Sequence, residues 1–393
     1  MKAMKWKFYS LAFVAGMSIL TACSSDDNND NDGNGGNGNG NEIENGTILK
    51  GTITSDVTLA AGNTYKLSGE YIVEEGATLH IEEGVKIIAV YDDIADYILV
   101  KQGGKINAVG TPDKPIVMTS EKEEPGAWGG IHICGRAHTN AEGGKGSSEI
   151  GGAVYGGNDD ADNSGTLQYI RLEYTGFAFD EEHEANGISF YGVGNGTIVD
   201  HCQAYKGSDD GFEFFGGSVN VSNLVAVSCS DDSFDWTEGW NGKGTNLVAY
   251  QEDKSTLGYD CDCLMECDNN GSNNAATPVA HPVLKNLILV GNGGSKQGIR
   301  LRAGTEVEID NAKVCGKGQP LTVETALTEN ALKNGTSKLT NITLTSELSS
   351  IEGIYTHADF IAVTSNKVDA NLSYSSFEDI RKECSWMNGS WVK

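Results

Sequence analysis

A four-residue pattern that begins with asparagine recurs five times in the second half of the sequence, and it constrains the fold more than any other feature. The copies lie at residues 223–226, 246–249, 286–289, 311–314 and 341–344, at intervals of 23, 40, 25 and 30 residues. A unit of about 22 residues with insertions is typical of a solenoid whose coils stack strand on strand. Asparagine at a coil corner can hydrogen-bond its neighbours along the stack. The repeat therefore predicts a β-solenoid.

The first half of the chain agrees with an all-β fold. Residues 76–87 place apolar side chains at alternate positions on both sides of a glycine turn, and helical patterns are nearly absent before the last twenty residues. Together with residues 99–106, 115–120 and 126–131, this stretch resembles the opening coils of right-handed β-helix surface lipoproteins in the pectate-lyase-like superfamily. The resemblance covers roughly residues 65–393 and implies an all-β, single-stranded right-handed parallel β-helix. It implies little about activity, because that superfamily contains lyases, hydrolases and adhesins.

The first residues resemble a secretion signal. Three lysines precede an apolar run over residues 8–20 that is too short to span a bilayer. The residues around Cys23 resemble the lipobox of bacterial lipoproteins, and the acidic residues that follow resemble the surface-export signal of Bacteroides-type bacteria. We therefore expect a signal peptide over 1–22, lipidation at Cys23, an acidic Asn/Gly tether over 23–46 and a β-helix over 47–393. The implied location is the outer membrane, with the domain facing outwards.

The formal net charge of −27 restricts the possible partners. Nucleic acid is disfavoured because its phosphates repel an acidic protein, and membrane contact is expected through the lipid anchor alone. Cation binding is favoured.

Eight cysteines remain after Cys23, and an even number in an exported protein favours disulfides. The eight are Cys134, Cys202, Cys229, Cys261, Cys263, Cys267, Cys315 and Cys384. The close spacing of residues 261, 263 and 267 leaves a zinc site as the alternative.

A second repeated frame predicts one polar residue per coil on an outer face. Six segments place a polar residue between apolar ones that would point inward, so the middle residue would point outward. The resulting row consists of His132, Ser189, Glu213, Asp235, Glu266 and Arg300.

Two pairs of aspartates precede strands of this frame, Asp209 with Asp210 and Asp231 with Asp232, and they are 22 residues apart. If they stack at about 4.8 Å, their like charges repel by roughly 1 kcal/mol in water and more in the protein. A bound calcium ion would compensate, with these four aspartates, Glu213 and Asp235 as metal ligands. The alternative is that the acids extend into solvent and the aspartates cap turns.

The leading functional hypothesis is a cell-surface lipoprotein that binds an extracellular glycan or other nutrient, beside an outer-membrane transporter. The expected ligand-binding residues are His132, Ser189, Glu213, Asp235 and Glu266 of the row, together with Tyr191 and Trp240 for stacking on sugars. Trp236 aligns with an inward position and is expected in the core.

Two other functions stay open. By resemblance to polysaccharide lyases, calcium held by the row would acidify a uronate and Arg300 would remove the proton; an ion pair with Glu266 explains the same residues. An adhesin or structural surface protein fits the same anchor, tether and rod. At the end of the chain, residues 377–393 predict a short helix that caps the solenoid and is pinned by a disulfide at Cys384.

Overall fold

The computed structural model describes residues 41–92, 94–179 and 183–393. The expected signal peptide, the lipidation site at Cys23 and most of the tether lie outside these residues. Among the described residues the first strand is Asn41–Glu42, which pairs with residues 57 and 58. No helix in the described ranges is long and apolar enough to cross a membrane.

The strands of the first half, in chain order, are β1 Asn41–Glu42, β2 Ile48–Ile53, β3 Val57–Leu59, β4 Thr64–Val73, β5 Thr78–Ile81, β6 Lys86–Ala89, β7 Tyr97–Val100, β8 Lys105–Val109, β9 Ile116–Ser120, β10 Ile131–Cys134, β11 Gly146–Ser147, β12 Val154–Tyr155 and β13 Gly165–Glu173. Those of the second half are β14 Ile188–Tyr191, β15 Ile198–Tyr205, β16 Phe212–Phe215, β17 Asn220–Val227, β18 Phe234–Thr237, β19 Lys243–Tyr250, β20 Met265–Cys267, β21 Val283–Val290, β22 Gln297–Leu301, β23 Glu308–Cys315, β24 Gln319–Val323, β25 Lys338–Leu344, β26 Ser349–Ser350 and β27 Lys367–Val368. The α-helices are α1 Lys254–Leu257, α2 Ala326–Asn334, α3 His357–Ala362 and α4 Phe377–Glu383, and short 3-10 turns cover Glu142–Gly144 and Ser385–Met387.

Twenty-five of these strands form one continuous sheet that wraps around three faces, and every named strand pair in it is parallel. From β13 onward, a coil has one long strand that covers the first and second faces and one short strand on the third. The two halves of β13 make this division visible, because the first half pairs with β8 and the second with β9. The expected right-handed parallel β-helix is confirmed.

The corner between the first and second faces is built by the repeated asparagines. Asn223, Asn246, Asn286 and Asn311 all have positive φ angles, between 55° and 63°, a conformation that asparagine tolerates better than most residues. From Asn246 to Asn311, each side-chain amide donates to the amide oxygen of the preceding asparagine, at 2.8 to 2.9 Å. The first member donates to Asp200 at 2.7 Å. The predicted corner ladder is confirmed for these four residues, whereas Asn341, the fifth copy, also has a positive φ angle, 56°, but donates to Asp310 at 2.7 Å.

The ladder gives a direct test of this corner. We expect Asn246→Ala to lower the free energy of unfolding by about 2–3 kcal/mol, because it removes two hydrogen bonds and forces alanine into a left-handed conformation. Asn246→Gly keeps the conformation and should cost only about 1–2 kcal/mol. Equal losses for the two variants, measured by denaturant unfolding, would show that the φ angle contributes nothing.

One continuous apolar core fills the space enclosed by the three faces of the β-helix. In the middle coils this core consists of stacked aromatic rings. Phe214 lies between Phe190 and Trp240, with ring centroids 5.0 and 4.1 Å apart. Trp236 is also buried there, as expected, and its indole nitrogen donates to Thr305 Oγ1 at 3.0 Å.

The C-terminal segment does not cap the solenoid; that prediction is wrong in position although α4 is the expected helix. The segment runs back along the second face. Lys313 pairs with Glu383 near one end, and at the other Ser390 donates to the carbonyl oxygen of Pro112 at 2.7 Å. It buries Trp391 and Met387 against outward-facing valines and Ile288 of the second face. We call this segment, residues 377–393, the lateral strap, and it explains why apolar side chains point outward from the second face.

The last coils are covered instead by α2, α3 and the loop between residues 350 and 356. Leu332, Leu348, Tyr355 and Phe360 of this region join the interior core. The loop is held by the fully buried carboxylate of Glu329, which accepts three backbone N–H groups and one hydroxyl. We call α2, α3 and this loop the end cover. It precedes the C-terminal segment in the chain.

The expected disulfides are absent from the described ranges, where all eight cysteines are buried free thiols. The residues are dispersed among different apolar environments. Cys202, Cys229 and Cys267 fill the interior core, Cys134 lies on the third face, and Cys315 and Cys384 lie under the strap. Cysteine behaves here as a small apolar side chain, so the even count was misleading.

Candidate functional site

The third face carries the predicted row. Directly paired positions on successive strands are His132 with Ser189, Ser189 with Glu213, Glu213 with Asp235, Asp235 with Glu266, and Glu266 with Arg300. The register of all six residues is therefore as expected, with no coil skipped.

The start of the row is buried, contrary to the expectation that it faces solvent. His132 and Ser189 are inaccessible because β11, β12 and the loop between them lie over the third face, and we call this segment the roof hairpin. Its Tyr155 contacts the ring of Tyr191 at 5.2 Å and is anchored by a 2.7 Å hydrogen bond to Glu238. Ligand access to this part of the row is blocked in this conformation.

The aromatic residues expected to bind sugars are also buried. Tyr191 is covered by the roof hairpin, and Trp240 lies in the interior core, where its indole nitrogen donates to the carbonyl oxygen of Val219 at 3.1 Å. The expectation that these two rings are free for stacking is wrong. For Trp240 the reason is its contact with Phe214, which draws it into the ring stack.

Beyond the roof hairpin, three columns of acids run along the stack. The first contains Asp209, Asp231 and Asp262; the second contains Asp210 and Asp232 and continues with the Cys263 thiol; the third is the part of the row with Glu213, Asp235 and Glu266. We call Asp209, Asp210, Glu213, Asp231, Asp232 and Asp235 the acidic cluster. Asp231 is exposed, whereas Asp209, Asp210 and Asp232 are buried and Glu213 and Asp235 are half-buried.

The alternative to a calcium site, that the acids extend into solvent and the aspartates cap turns, is correct only for the capping. Asp210 accepts the backbone N–H of Asp232 at 2.8 Å, and Asp232 accepts that of Cys263 at 2.6 Å, so the second column does hold successive turns. Extension into solvent is wrong for Asp209, Asp210 and Asp232, because all three are buried.

The acidic cluster brings oxygen ligands within reach of one another. Three groups made only of carboxylates have ligand atoms within 4.8 Å of one another: Asp209, Asp210 and Asp231; Asp210, Glu213 and Asp235; and Asp232, Asp235 and Glu266. A fourth group joins Asp232 and Asp262 with the Cys263 thiol. One oxygen of Asp235 is inaccessible to solvent and has no hydrogen-bond partner. A buried carboxylate oxygen without a partner is costly, and it lies in the middle of the cluster.

Burial and mutual repulsion make these carboxylates difficult to ionise. Desolvation raises the pKa of Asp210, Glu213, Asp232 and Asp235 well above the usual range, and neighbouring carboxylates raise it further. Desolvation, with the charges of Asp231 and Glu184, raises the pKa of Asp209 to about 8. Protons therefore compete with a cation for these carboxylates, and a metal ion that binds there would displace them.

The far end of the row is neutralised by two arginines. Arg300 bonds Glu266 at 2.8 Å and Glu324 at 2.9 Å, while Arg302 bonds Asp268 at 2.7 Å and also pairs with Glu266. Although burial lowers the pKa of Arg300, its bonds to Glu324 and Glu266 outweigh that and raise it. This is the ion pair that was the alternative to a catalytic base.

Three residues of the site were missed from the sequence. Asn186 donates to Glu213 at 2.6 Å and to Ser189 at 3.0 Å. Asp262 is separated from Asp231 by an insertion that contains α1, which hides the spacing. Glu149 lies on the roof hairpin, where Tyr191 donates to it at 3.3 Å. Asn186 occupies the position of Asp210 and Asp232 one coil earlier. Aligning the coils would therefore have identified Asn186 as a residue of the site.

A second hairpin borders the cluster. Ala178 pairs with Glu184, and the Phe179 N–H donates to the carbonyl oxygen of His183 at 2.9 Å. The charge of Glu184 raises the pKa of Asp209, and His183 acts on Glu149 of the roof hairpin. We call residues 178, 179, 183 and 184 the side hairpin.

These features define a β-helix protein with a cluster of closely spaced, mostly buried or half-buried carboxylates on its third face. Residues 51–392 match the family described as the pectate-lyase-like β-helix domain, and because the match covers most of the chain, the protein belongs to that family. No curated protein matches the sequence. Among solved structures, the Dettilon tailspike protein gp208 is similar at 8% identity and a TM-score of 0.28, over 75% of this chain and 52% of the tailspike chain. The chain thus spans about half the length of that tailspike.

Proposed function

We propose that the acidic cluster binds calcium and that the protein, anchored through a lipid on Cys23, captures an extracellular glycan or other nutrient at the outer face of the outer membrane. The observation that carries this proposal is the partnerless buried oxygen of Asp235, which lies between Glu213 and Glu266 in a set of mutually close carboxylates. A cation there would satisfy this oxygen and remove the repulsion at once.

The ligand chemistry favours calcium over softer ions. Every atom that the six residues of the cluster offer is a carboxylate oxygen, and calcium accepts six to eight hard oxygen ligands in flexible geometry. Three carboxylates leave coordination positions open for oxygens of a captured ligand. The proposed surface location, beside an outer-membrane transporter, rests on the resemblance of the N-terminal residues to a lipoprotein signal.

The lyase alternative has weaker support. It requires a side chain near the calcium that can take a proton, and Arg300 is held by two carboxylates that favour its charged form. Since arginine keeps its proton in proteins, the binding function is the better supported. The adhesin alternative predicts binding to host matrix with no affinity for saccharides.

The test is calcium titration calorimetry on the full chain and on the double variant Glu213→Gln with Asp235→Asn. We expect the wild type to bind with a dissociation constant of about 10⁻⁴–10⁻³ M, as in extracellular calcium modules, and the variant to lose at least tenfold in affinity. Asp113→Asn with Glu352→Gln removes two exposed acids outside the cluster and serves as the matched control. Absence of calcium binding to the wild type, or equal binding by both double variants, would contradict the proposal.

A further inference from the structure

A cavity lies on the second face, between the corner ladder of asparagines and the lateral strap. Its volume is about 270 Å³, and its polar and aromatic lining consists of Asn246, Asn286, Asn311, Lys313, Glu383 and Trp386. This volume is close to the lower end of the range for small-molecule sites, ~300 Å³. The acidic cluster is on the third face and contributes no side chain to the lining. The cavity is therefore a separate candidate site for a small ligand.

The ladder gives the cavity a row of amide groups. Asn286 donates to Asn246 and accepts from Asn311, both at 2.9 Å, and these two bonds use only part of what an amide can donate and accept. The ladder ends at Asn311, because Asn341 donates to Asp310 instead, and both Asn286 and Asn311 are exposed. The wall of the cavity therefore offers hydrogen-bonding groups at the spacing of successive coils, about 4.8 Å.

The strap supplies an aromatic ring to the same cavity. Trp386 is half-buried, and its ring lies 6.2 Å from that of Trp391 and 6.4 Å from that of His201, measured between centroids. The other tryptophans of the described ranges are all buried, namely Trp128, Trp236, Trp240 and Trp391. A ring that is already held by its neighbours can stack on a ligand at little cost in entropy.

The two charged groups of the lining neutralise each other. Lys313 pairs with Glu383, whose carboxylate also accepts the hydroxyl of Tyr374 at 2.8 Å. The remaining polar groups are amides, which both donate to and accept from hydroxyl groups. A wholly apolar ligand would leave these amides without partners, whereas a sugar ring has hydroxyls for the amides and a C–H face for the indole. The lining therefore favours a saccharide.

We propose that the cavity between the corner ladder and the lateral strap binds a short saccharide unit of the captured glycan, stacked on Trp386 and hydrogen-bonded by Asn286 and Asn311, without calcium. The proposal rests on the glycan-capture part of the proposed function and adds a contact on a different face from the acidic cluster. It also assigns to Trp386 the stacking role that the sequence had suggested for Tyr191 and Trp240.

The test is fluorescence titration of the full chain in EDTA with maltose, cellobiose, lactose and mannobiose. We expect at least one of these disaccharides to bind with a dissociation constant of about 1 mM and to shift the tryptophan emission, because Trp386 is not buried. Trp386→Ala should weaken the binding roughly tenfold, as measured by calorimetry. The matched control is Phe377→Ala, which removes another half-buried ring of the strap. Phe377 packs on Tyr250 at 5.4 Å and does not line the cavity, so its loss should leave the affinity unchanged.

A second pair of variants tests the ladder side of the cavity. Asn311→Gly and Asn223→Gly each remove one side chain of the ladder at a position with a positive φ angle, which glycine adopts without strain. Only Asn311 lines the cavity. We therefore expect Asn311→Gly to lower the saccharide affinity several-fold and Asn223→Gly to leave it unchanged.

The outcomes separate this inference from the calcium proposal. Binding of none of the disaccharides, or equal affinity in wild type and Trp386→Ala, overturns the inference while leaving the calcium titration as it stands. Saccharide binding that requires calcium and is lost in Glu213→Gln with Asp235→Asn would also overturn it, because the glycan contact would then lie at the acidic cluster. Conversely, a wild type that binds saccharide in EDTA but no calcium would keep this site and remove the calcium proposal.

Discussion

In EDTA, the protein is expected to become less stable as the pH rises from about 5 to about 8, which is the reverse of the usual trend for an acidic protein. The pKa of Asp209 in the folded state is about 8, above the ordinary value of 3.8, and the pKa values of Asp210, Glu213, Asp232 and Asp235 are raised in the same direction. A raised folded-state pKa means that the folded protein binds more protons than the unfolded chain over this range. Its stabilising effect is complete below the unfolded pKa and is lost as the pH rises through the folded one.

The expected effect is large. One carboxyl shifted in this way changes the free energy of unfolding by about 1.4 kcal/mol per pH unit, hence roughly 3–4 kcal/mol between pH 5 and 8. Asp209 is faced by Asp231, Glu184 and Glu149, which all oppose its ionisation. The acids whose pKa values are lowered, such as Asp200 at about 2, titrate below this window and do not interfere.

Thermal or urea unfolding at several pH values, with EDTA or with excess calcium, measures this dependence. Calcium should flatten the profile, because the metal replaces the protons that the cluster loses. Asp209→Asn should make the profile shallower in EDTA, since the other raised carboxyls remain, whereas Asp113→Asn, at an exposed site, should leave it unchanged. A wild-type stability that rises or stays constant from pH 5 to 8 in EDTA would mean that these carboxylates ionise normally.

The strand pairing and register of this protein could be predicted because they follow from repeats in the sequence. The asparagine frame and the row are both local patterns that recur once per coil, and strands that stack in register turn such patterns into straight columns. This is why the pairing of His132 through Arg300 and the ladder from Asn223 to Asn311 followed from the sequence.

Burial was not predictable in the same way. The roof hairpin and the lateral strap are insertions or extensions with no repeat of their own, and they cover faces that the coil pattern alone would leave in solvent. His132, Ser189 and Tyr191 became buried for that reason. A partial signal existed on the second face, where Val225, Val248 and Ile288 occupy outward positions. Apolar residues at outward positions of a parallel coil indicate a covering segment.

The acidic cluster itself shows how such a site is maintained. The ring stack and the corner ladder hold the coils at fixed spacing, so the carboxylates cannot separate to relieve their repulsion. Asp210 and Asp232 each use one oxygen on the backbone of the next coil, which fixes the side chain and aims the rest of the group. A rigid frame therefore preorganises a set of carboxylates whose ionised forms repel one another.

The end of the solenoid is expected to depend on one buried carboxylate. Glu329 is fully buried and accepts the N–H groups of Glu352, Ile354 and Tyr355 at 2.6 to 2.9 Å, together with the hydroxyl of Ser350 at 2.8 Å. Replacing it with alanine leaves these donors buried without an acceptor, and we expect a loss of about 3–5 kcal/mol in the stability of the end cover. Glu352→Ala, whose side chain is exposed, is the matched control.

The effect should be local and dependent on pH. Burial alone would raise the pKa of Glu329, but its hydrogen bonds outweigh burial and lower it below the ordinary 4.5. Its contribution is therefore present above the unfolded pKa and is lost as the pH falls through the folded one. Hydrogen exchange should show amides 350–362 opening faster in Glu329→Ala while the middle coils stay protected, since a solenoid transmits stability only between neighbouring coils. Unchanged exchange in this segment would mean that the end cover is held by its apolar contacts alone.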